Sequence, residues 1–224
     1  MQKLTLPEVY ERLFTAYGEQ HWWPADSPFE VMLGAILTQN TSWQNVEKAI
    51  ANLKQHEILH CESVANSNLS ELAEIIRPSG SYKQKARYLQ HFSWFYLHHG
   101  KHAGLIKLPP GILRKQLLAL YGIGPETADS ILLYALDKPV FVIDAYTKRL
   151  FTRLQHVEHQ PTYDSMQRYF HQRLPEDLLL FQEFHALIVE HAKRYCRSKP
   201  LCTQCPLLDH CPAPTQAIPL ARLA

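Results

Sequence analysis

Residues Leu120–Leu150 read LYGIGPETADSILLYALDKPVFVIDAYTKRL, and the fold turns on how this stretch is parsed. Leu117, Leu118 and Leu120 close one helix. Tyr121-Gly122-Ile123-Gly124 then turns the chain, with two residues that lack a Cβ and let the backbone bend sharply or approach a ligand. Pro125 stands at the first position of a second helix, where its missing N–H costs nothing and its fixed φ is already helical. That helix is apolar and is expected to run from Pro125 to Leu136. Val140–Ile143 is strand-like but too short and solitary to build a sheet. Asp144 follows as the N-cap of a helix expected over Ala145–Leu154.

Two helices joined through a glycine-bracketed turn make a helix-hairpin-helix pattern. The backbone around Gly122, Ile123, Gly124 and Thr127, at the second helix's N-terminus, suits one DNA phosphate without reading sequence. A tight connection between two core helices would look the same. The position of Asp144 adds the missing information. As a cap alone it contributes about 0.5 to 2 kcal/mol. Beside a hairpin that grips DNA, its carboxylate can also stabilise positive charge developing on a deoxyribose C1′ and position water for attack.

Around this centre the sequence is almost wholly helical. Helices are expected at Pro7–Tyr17, Phe29–Leu37, a stripe through Val46, Ile50 and Leu53 capped by Thr41 or Ser42, then Ser70–Ile76, Lys83–His98, Leu113–Leu120, Ser165–Leu174 and Leu178–Lys193. Breakers in RPSGS, LPPG and DKP separate them. With 224 residues, 46% apolar and 20% charged, the chain can bury a core as one domain or two. A net charge of +2 argues neither for nor against nucleic acid. The N-terminus lacks the apolar core of a signal peptide and no apolar run approaches a membrane span, which points to a soluble, intracellular protein.

Four of the five cysteines fall near the C-terminus: Cys196, Cys202, Cys205 and Cys211, separated by five, two and five residues. Disulfides are disfavoured inside cells, so four thiolates at the end of a helix and its following turns read as one metal centre. Zinc and a [4Fe-4S] cluster both accept four cysteines. Without a ligand, a segment so poor in core-forming residues would fold badly.

Hairpin, acid and cysteine loop, in this order and nearly at these spacings, resemble the helix-hairpin-helix DNA glycosylases of the endonuclease III superfamily. The likeness spans nearly the whole chain. It implies an all-α fold of two helical domains, a six-helix barrel over residues 28–138 inserted into a second domain of residues 1–27 and 139–224, with the active site in the cleft between them. It also implies a [4Fe-4S] cluster on the four cysteines, although the first cysteine gap is five residues where the family usually has six. The partner it implies is duplex DNA carrying a damaged base, bound by a monomer in the cytoplasm at the nucleoid.

Bifunctional members of this superfamily carry a lysine two residues after the second hairpin glycine, and here that residue is Glu126. A carboxylate cannot form an imine with the sugar. The resemblance therefore implies a monofunctional glycosylase in which Asp144, aided by Glu126, works with water. The run HWWPADSPFEVMLGAILTQNTSWQNVEKAI, His21–Ile50, and the hairpin's PETAD look like the 3-methyladenine DNA glycosylase III branch. That likeness places Trp22, Trp23 and Trp43 around an extruded base, although core packing suits Trp23 better. Electron-rich aromatic faces attract a cationic alkylated purine by about 0.5 to 2 kcal/mol. Gln39 matches the side chain that fills the gap left by a flipped nucleotide. Ser81 makes a poor wedge for the opposite strand. Lys83, Lys85, Arg87, Lys148, Arg149, Lys193, Arg194, Arg197 and Lys199 offer phosphate contacts. The rival readings are a bifunctional endonuclease for oxidised pyrimidines and a DNA-binding module without catalysis.

Overall fold

The computed structural model describes residues 3–158 and 160–213. Among them are twelve α-helices and no strand. In chain order the helices are α1 (Leu6–Tyr17), α2 (Pro28–Leu37), α3 (Trp43–Gln55), α4 (Cys61–Asn66), α5 (Leu69–Ile75), α6 (Tyr82–His98), α7 (Lys101–Leu105), α8 (Pro110–Leu118), α9 (Pro125–Ala135), α10 (Ala145–Arg153), α11 (Tyr163–His171) and α12 (Leu178–Arg194). None is long and apolar enough to cross a membrane. The described residues divide into two compact units, one spanning Trp23–Val140 and the other formed by the chain segments on either side of it.

The unit over Trp23–Val140 is organised around α2. Every residue from Phe29 to Leu37 is buried, as a helix apolar on all sides requires. Ser27 starts it, its hydroxyl accepting the Glu30 N–H at 3.2 Å, and Pro28 takes the first helical position. α3, α6 and α9 pack around it. Two short helices, α4 and α7, have no counterpart in the sequence reading, because six and five residues are too few to display a helical period. α8 begins at Pro110, before the expected Leu113, because a proline is favoured in the first turn. Ser42, not Thr41, takes the N-cap position of α3.

In the second unit α1 and α10 lie against α12, over a core of phenylalanines. The rings of Phe141 and Phe170 stack with centroids 4.1 Å apart, and Phe151 meets Phe170 edge-on at 4.8 Å. Each such ring, fully buried, contributes about 2 to 3 kcal/mol. The run at Phe141–Ile143 forms no strand among the described residues, and α11 supplies its partners. Phe141 N–H donates to His171 Nε2 at 3.1 Å, Gln167 Nε2 donates to Phe141 O at 2.8 Å, and Ile143 N–H donates to the Tyr163 hydroxyl at 3.3 Å. Side chains of one helix thus replace a ladder and hold the three buried residues that lead into Asp144.

Candidate active site

Asp144 is the N-cap of α10, 8% exposed. Its Oδ1 accepts two hydrogen bonds from Thr147, one from the backbone N–H at 2.6 Å and one from the hydroxyl at 2.7 Å. Oδ2 faces His185 Nε2 on α12 at 3.7 Å, an ion-pair distance rather than a hydrogen bond. Burial pushes the carboxyl's pKa up, while His185 and the two Thr147 bonds pull it down; the net result lies below the ordinary value. At neutral pH the group is therefore an anion held out of water, with one oxygen committed to capping and the other turned toward an imidazole. The sequence reading identified Asp144 but not His185, whose position in FQEFHALIVEH carries no local signal.

The hairpin is built on a different constraint. Gly122 has φ +87°, and a Cβ there would stand 2.2 Å from the Tyr88 ring, so no other residue fits without displacing Tyr88. Gly124 differs: it is extended, and a Cβ there would meet nothing within 4 Å. Among the described residues, neither packing nor backbone angle demands glycine at that point. Gly124 is the N-cap of α9 and has no side chain with which to cap its first amides. The hairpin's two helices are clamped by Arg114, whose Nε and Nη2 donate to the two oxygens of fully buried Asp129 at 2.7 and 3.0 Å. Gln39 is tied to the turn, its Nε2 donating to Gly122 O at 2.9 Å and to Thr127 Oγ1 at 3.1 Å. The Thr127 hydroxyl is thus turned inward to Gln39. Ile123 N–H is bonded to Leu120 O at 3.1 Å. Glu126 is exposed in the first turn of α9.

Of the three tryptophans, Trp23 and Trp43 come together edge-to-face, with centroids 4.9 Å apart. With Pro24 and Gly34 they line a cleft of about 240 Å3 that also carries Glu30, Glu47 and Lys54. Lys54 is held there by Glu30 at 2.8 Å and Asp26 at 2.7 Å. Trp22 belongs to the other unit, where Lys193 Nζ lies 5.0 Å from its ring centroid and covers one face. Lys85 is not a phosphate contact: it is 3% exposed, and its ammonium donates to Leu37 O at 2.8 Å and Ser79 O at 2.7 Å. It ties the end of α2 to the turn before α6. Arg149 and Arg197 likewise spend their Nε atoms on the carbonyls of Cys196 and Lys193, at 2.7 Å each.

Cys196, Cys202, Cys205 and Cys211 all line one small apolar cavity of about 30 Å3. Four cysteine thiols around one space are a donor set that either a zinc ion or a [4Fe-4S] cluster accepts. Burial, with a further contribution from the three other thiols, pushes the Cys205 thiol up to about 11. The Arg153 guanidinium lies 3.3 Å from the Cys196 sulfur.

Residues 33–176 match the HhH-GPD superfamily of base excision DNA repair proteins. A Methanocaldococcus jannaschii protein, provisionally named a DNA repair glycosylase, is 47% identical over 207 residues, covering 91% of this chain and 94% of its own. Endonuclease III of Thermotoga maritima is 31% identical over 186 residues, 82% of each chain. Among solved structures, 3-methyladenine DNA glycosylase (MagIII) of H. pylori, bound to 1,N6-ethenoadenine, is 31% identical with a TM-score of 0.74, covering 85% of this chain and 98% of that one. An endonuclease III–DNA complex, 21% identical, shares the fold with a TM-score of 0.80 over 96% and 98% of the two chains. The chain belongs to the HhH-GPD superfamily, the base excision repair DNA glycosylases of the endonuclease III group.

Proposed function

We propose that the protein is a monofunctional N-glycosylase that extrudes an alkylated purine such as 3-methyladenine from duplex DNA and hydrolyses its glycosidic bond. This reading is carried by two acids, each read in its own unit: Glu126 where bifunctional relatives have their lysine, and Asp144 kept anionic while buried. A buried carboxylate stabilises the oxocarbenium-like charge that develops as the base departs, and it holds water on the sugar's open face. Glu126 has no nitrogen with which to attack the sugar, so strand cleavage does not accompany base release. An alkylated purine leaves with little protonation, which suits a site whose acid is already ionised. Asp144 and Glu126 are the proposed catalytic pair.

Trp43 and Trp23, with the Glu47 carboxylate in a cleft where Lys54 already neutralises Glu30, favour a base that carries positive charge. Trp22 has one ring face covered by Lys193, which limits how it can stack on a base. Gln39, whose Nε2 is held at the hairpin turn, fills in this reading the space a flipped nucleotide leaves, at some unstacking cost. The backbone around Gly122, Ile123, Gly124 and Thr127 binds a phosphate, through amides other than that of Ile123, which is spent on Leu120 O. Cys196, Cys202, Cys205 and Cys211 hold a [4Fe-4S] cluster, which cross-links the loop when bound. The likeness to MagIII supports the alkylpurine reading. The protein acts as a monomer.

A panel of duplexes bearing 3-methyladenine, 7-methylguanine, hypoxanthine, uracil or thymine glycol tests this reading. Release of 3-methyladenine by the wild type but not by Asp144→Asn is the expected result. Preferential attack on thymine glycol would replace it with the oxidised-pyrimidine reading.

A further inference from the structure

Behind the cysteine cavity lies a chain of polar contacts that the proposed reaction does not use. His191, on the inner face of α12, is 1% exposed. Its Nδ1 is 2.8 Å from the hydroxyl of Tyr17, the last residue of α1, and its Nε2 is 3.8 Å from the sulfur of Cys205. A neutral imidazole has one N–H, and a tyrosine hydroxyl can either donate or accept, so the free protein allows two polarities. In one, Cys205 S–H donates to Nε2 and Nδ1–H donates to Tyr17. In the other, the tyrosine donates to Nδ1 and Nε2–H donates to sulfur.

Ligation removes this choice. A metal-bound thiolate has no proton and can only accept, so Nε2 must carry the hydrogen, Nδ1 must be the acceptor, and Tyr17 must be the donor. Burial raises the Tyr17 phenol's pKa and so keeps its proton available. We infer that Tyr17 and His191 form a one-way relay that donates a hydrogen bond to the Cys205 ligand and so raises the reduction potential of the bound cluster. The physical reason is that a hydrogen bond to a ligand sulfur stabilises the more negative, reduced state over the oxidised one. Tyr17 strengthens the bond by fixing the tautomer and polarising Nε2–H. Neither side chain is a ligand, and both act through Cys205.

This inference rests on the proposed [4Fe-4S] reading, and the test separates the two. Iron content, midpoint potential by protein-film voltammetry and melting temperature are measured on anaerobically purified wild type, His191→Leu and Tyr17→Phe. The expected result is unchanged iron, a potential shifted negative in His191→Leu, and a smaller negative shift in Tyr17→Phe. If His191→Leu loses iron or fails to fold, the isosteric Tyr17→Phe decides. An unchanged or more positive potential in iron-replete Tyr17→Phe overturns the relay and leaves the cluster reading intact. Wild-type protein with zinc and no iron overturns the cluster reading itself, and the relay's effect on potential with it.

Discussion

Asp144 caps α10 through one oxygen, and substitution can separate that duty from the catalytic one proposed for its charge. Asp144→Asn keeps an N-cap of about equal strength, so the fold survives, while excision falls by at least about 100-fold for loss of the charge. Circular dichroism and base release on the same preparation measure both. The pH dependence has a definite sign. The folded carboxyl titrates below its ordinary value, so its stabilising effect is complete above about pH 4 and is lost as pH falls through the lower folded pKa. An acid limb of kcat/KM that Asp144 sets must therefore lie below about pH 4, and a limb assigned to it near pH 6 would contradict its ionised state. Thr147→Val removes the 2.7 Å hydroxyl bond and is expected to cost about 1.5 to 3 kcal/mol in urea unfolding. Asp144 was legible because a cap must directly precede its helix. His185 was not, since only tertiary packing brings α12 to that carboxylate, and Lys85 was misread because burial of a lysine leaves no mark in local sequence.

At the level of elements, the hairpin's two glycines make opposite predictions. Gly122→Ala forces a Cβ against Tyr88 at positive φ and is expected to destabilise the fold by about 2 to 3 kcal/mol. Gly124→Ala has room and ordinary backbone angles, so stability stays within about 0.5 kcal/mol while affinity for duplex DNA drops. Thermal melts with fluorescence-anisotropy titrations distinguish the two, and a Gly124→Ala protein that binds DNA normally would remove the phosphate assignment. Asp129→Ala strips Arg114 of its buried partner between α8 and α9 and is expected to cost about 3 kcal/mol. The hairpin could be found from sequence because glycine and proline punctuate locally. The Arg114–Asp129 clamp and the α11 side chains that hold Phe141–Ile143 could not, because each joins elements whose packing no periodicity encodes.

For the molecule as a whole, order was more informative than bulk composition. The near-neutral total charge said nothing of DNA, whereas a hairpin, then an acid, then four cysteines in a fixed succession identified the all-α architecture and the superfamily. Purified anaerobically, the protein is expected to be brown with about four irons per chain; a colourless, zinc-loaded protein would refute the cluster. The decisive question is whether an amine of this chain attacks the sugar once the base has left. Incubating a duplex that bears one alkylated adenine, with borohydride present, and resolving the products with and without alkali answers it. A monofunctional enzyme yields free base, an intact strand that breaks only in alkali, and no protein–DNA adduct. A borohydride-trapped covalent complex, or strand scission before alkali, would show that an amine does attack the sugar and would contradict the monofunctional reading.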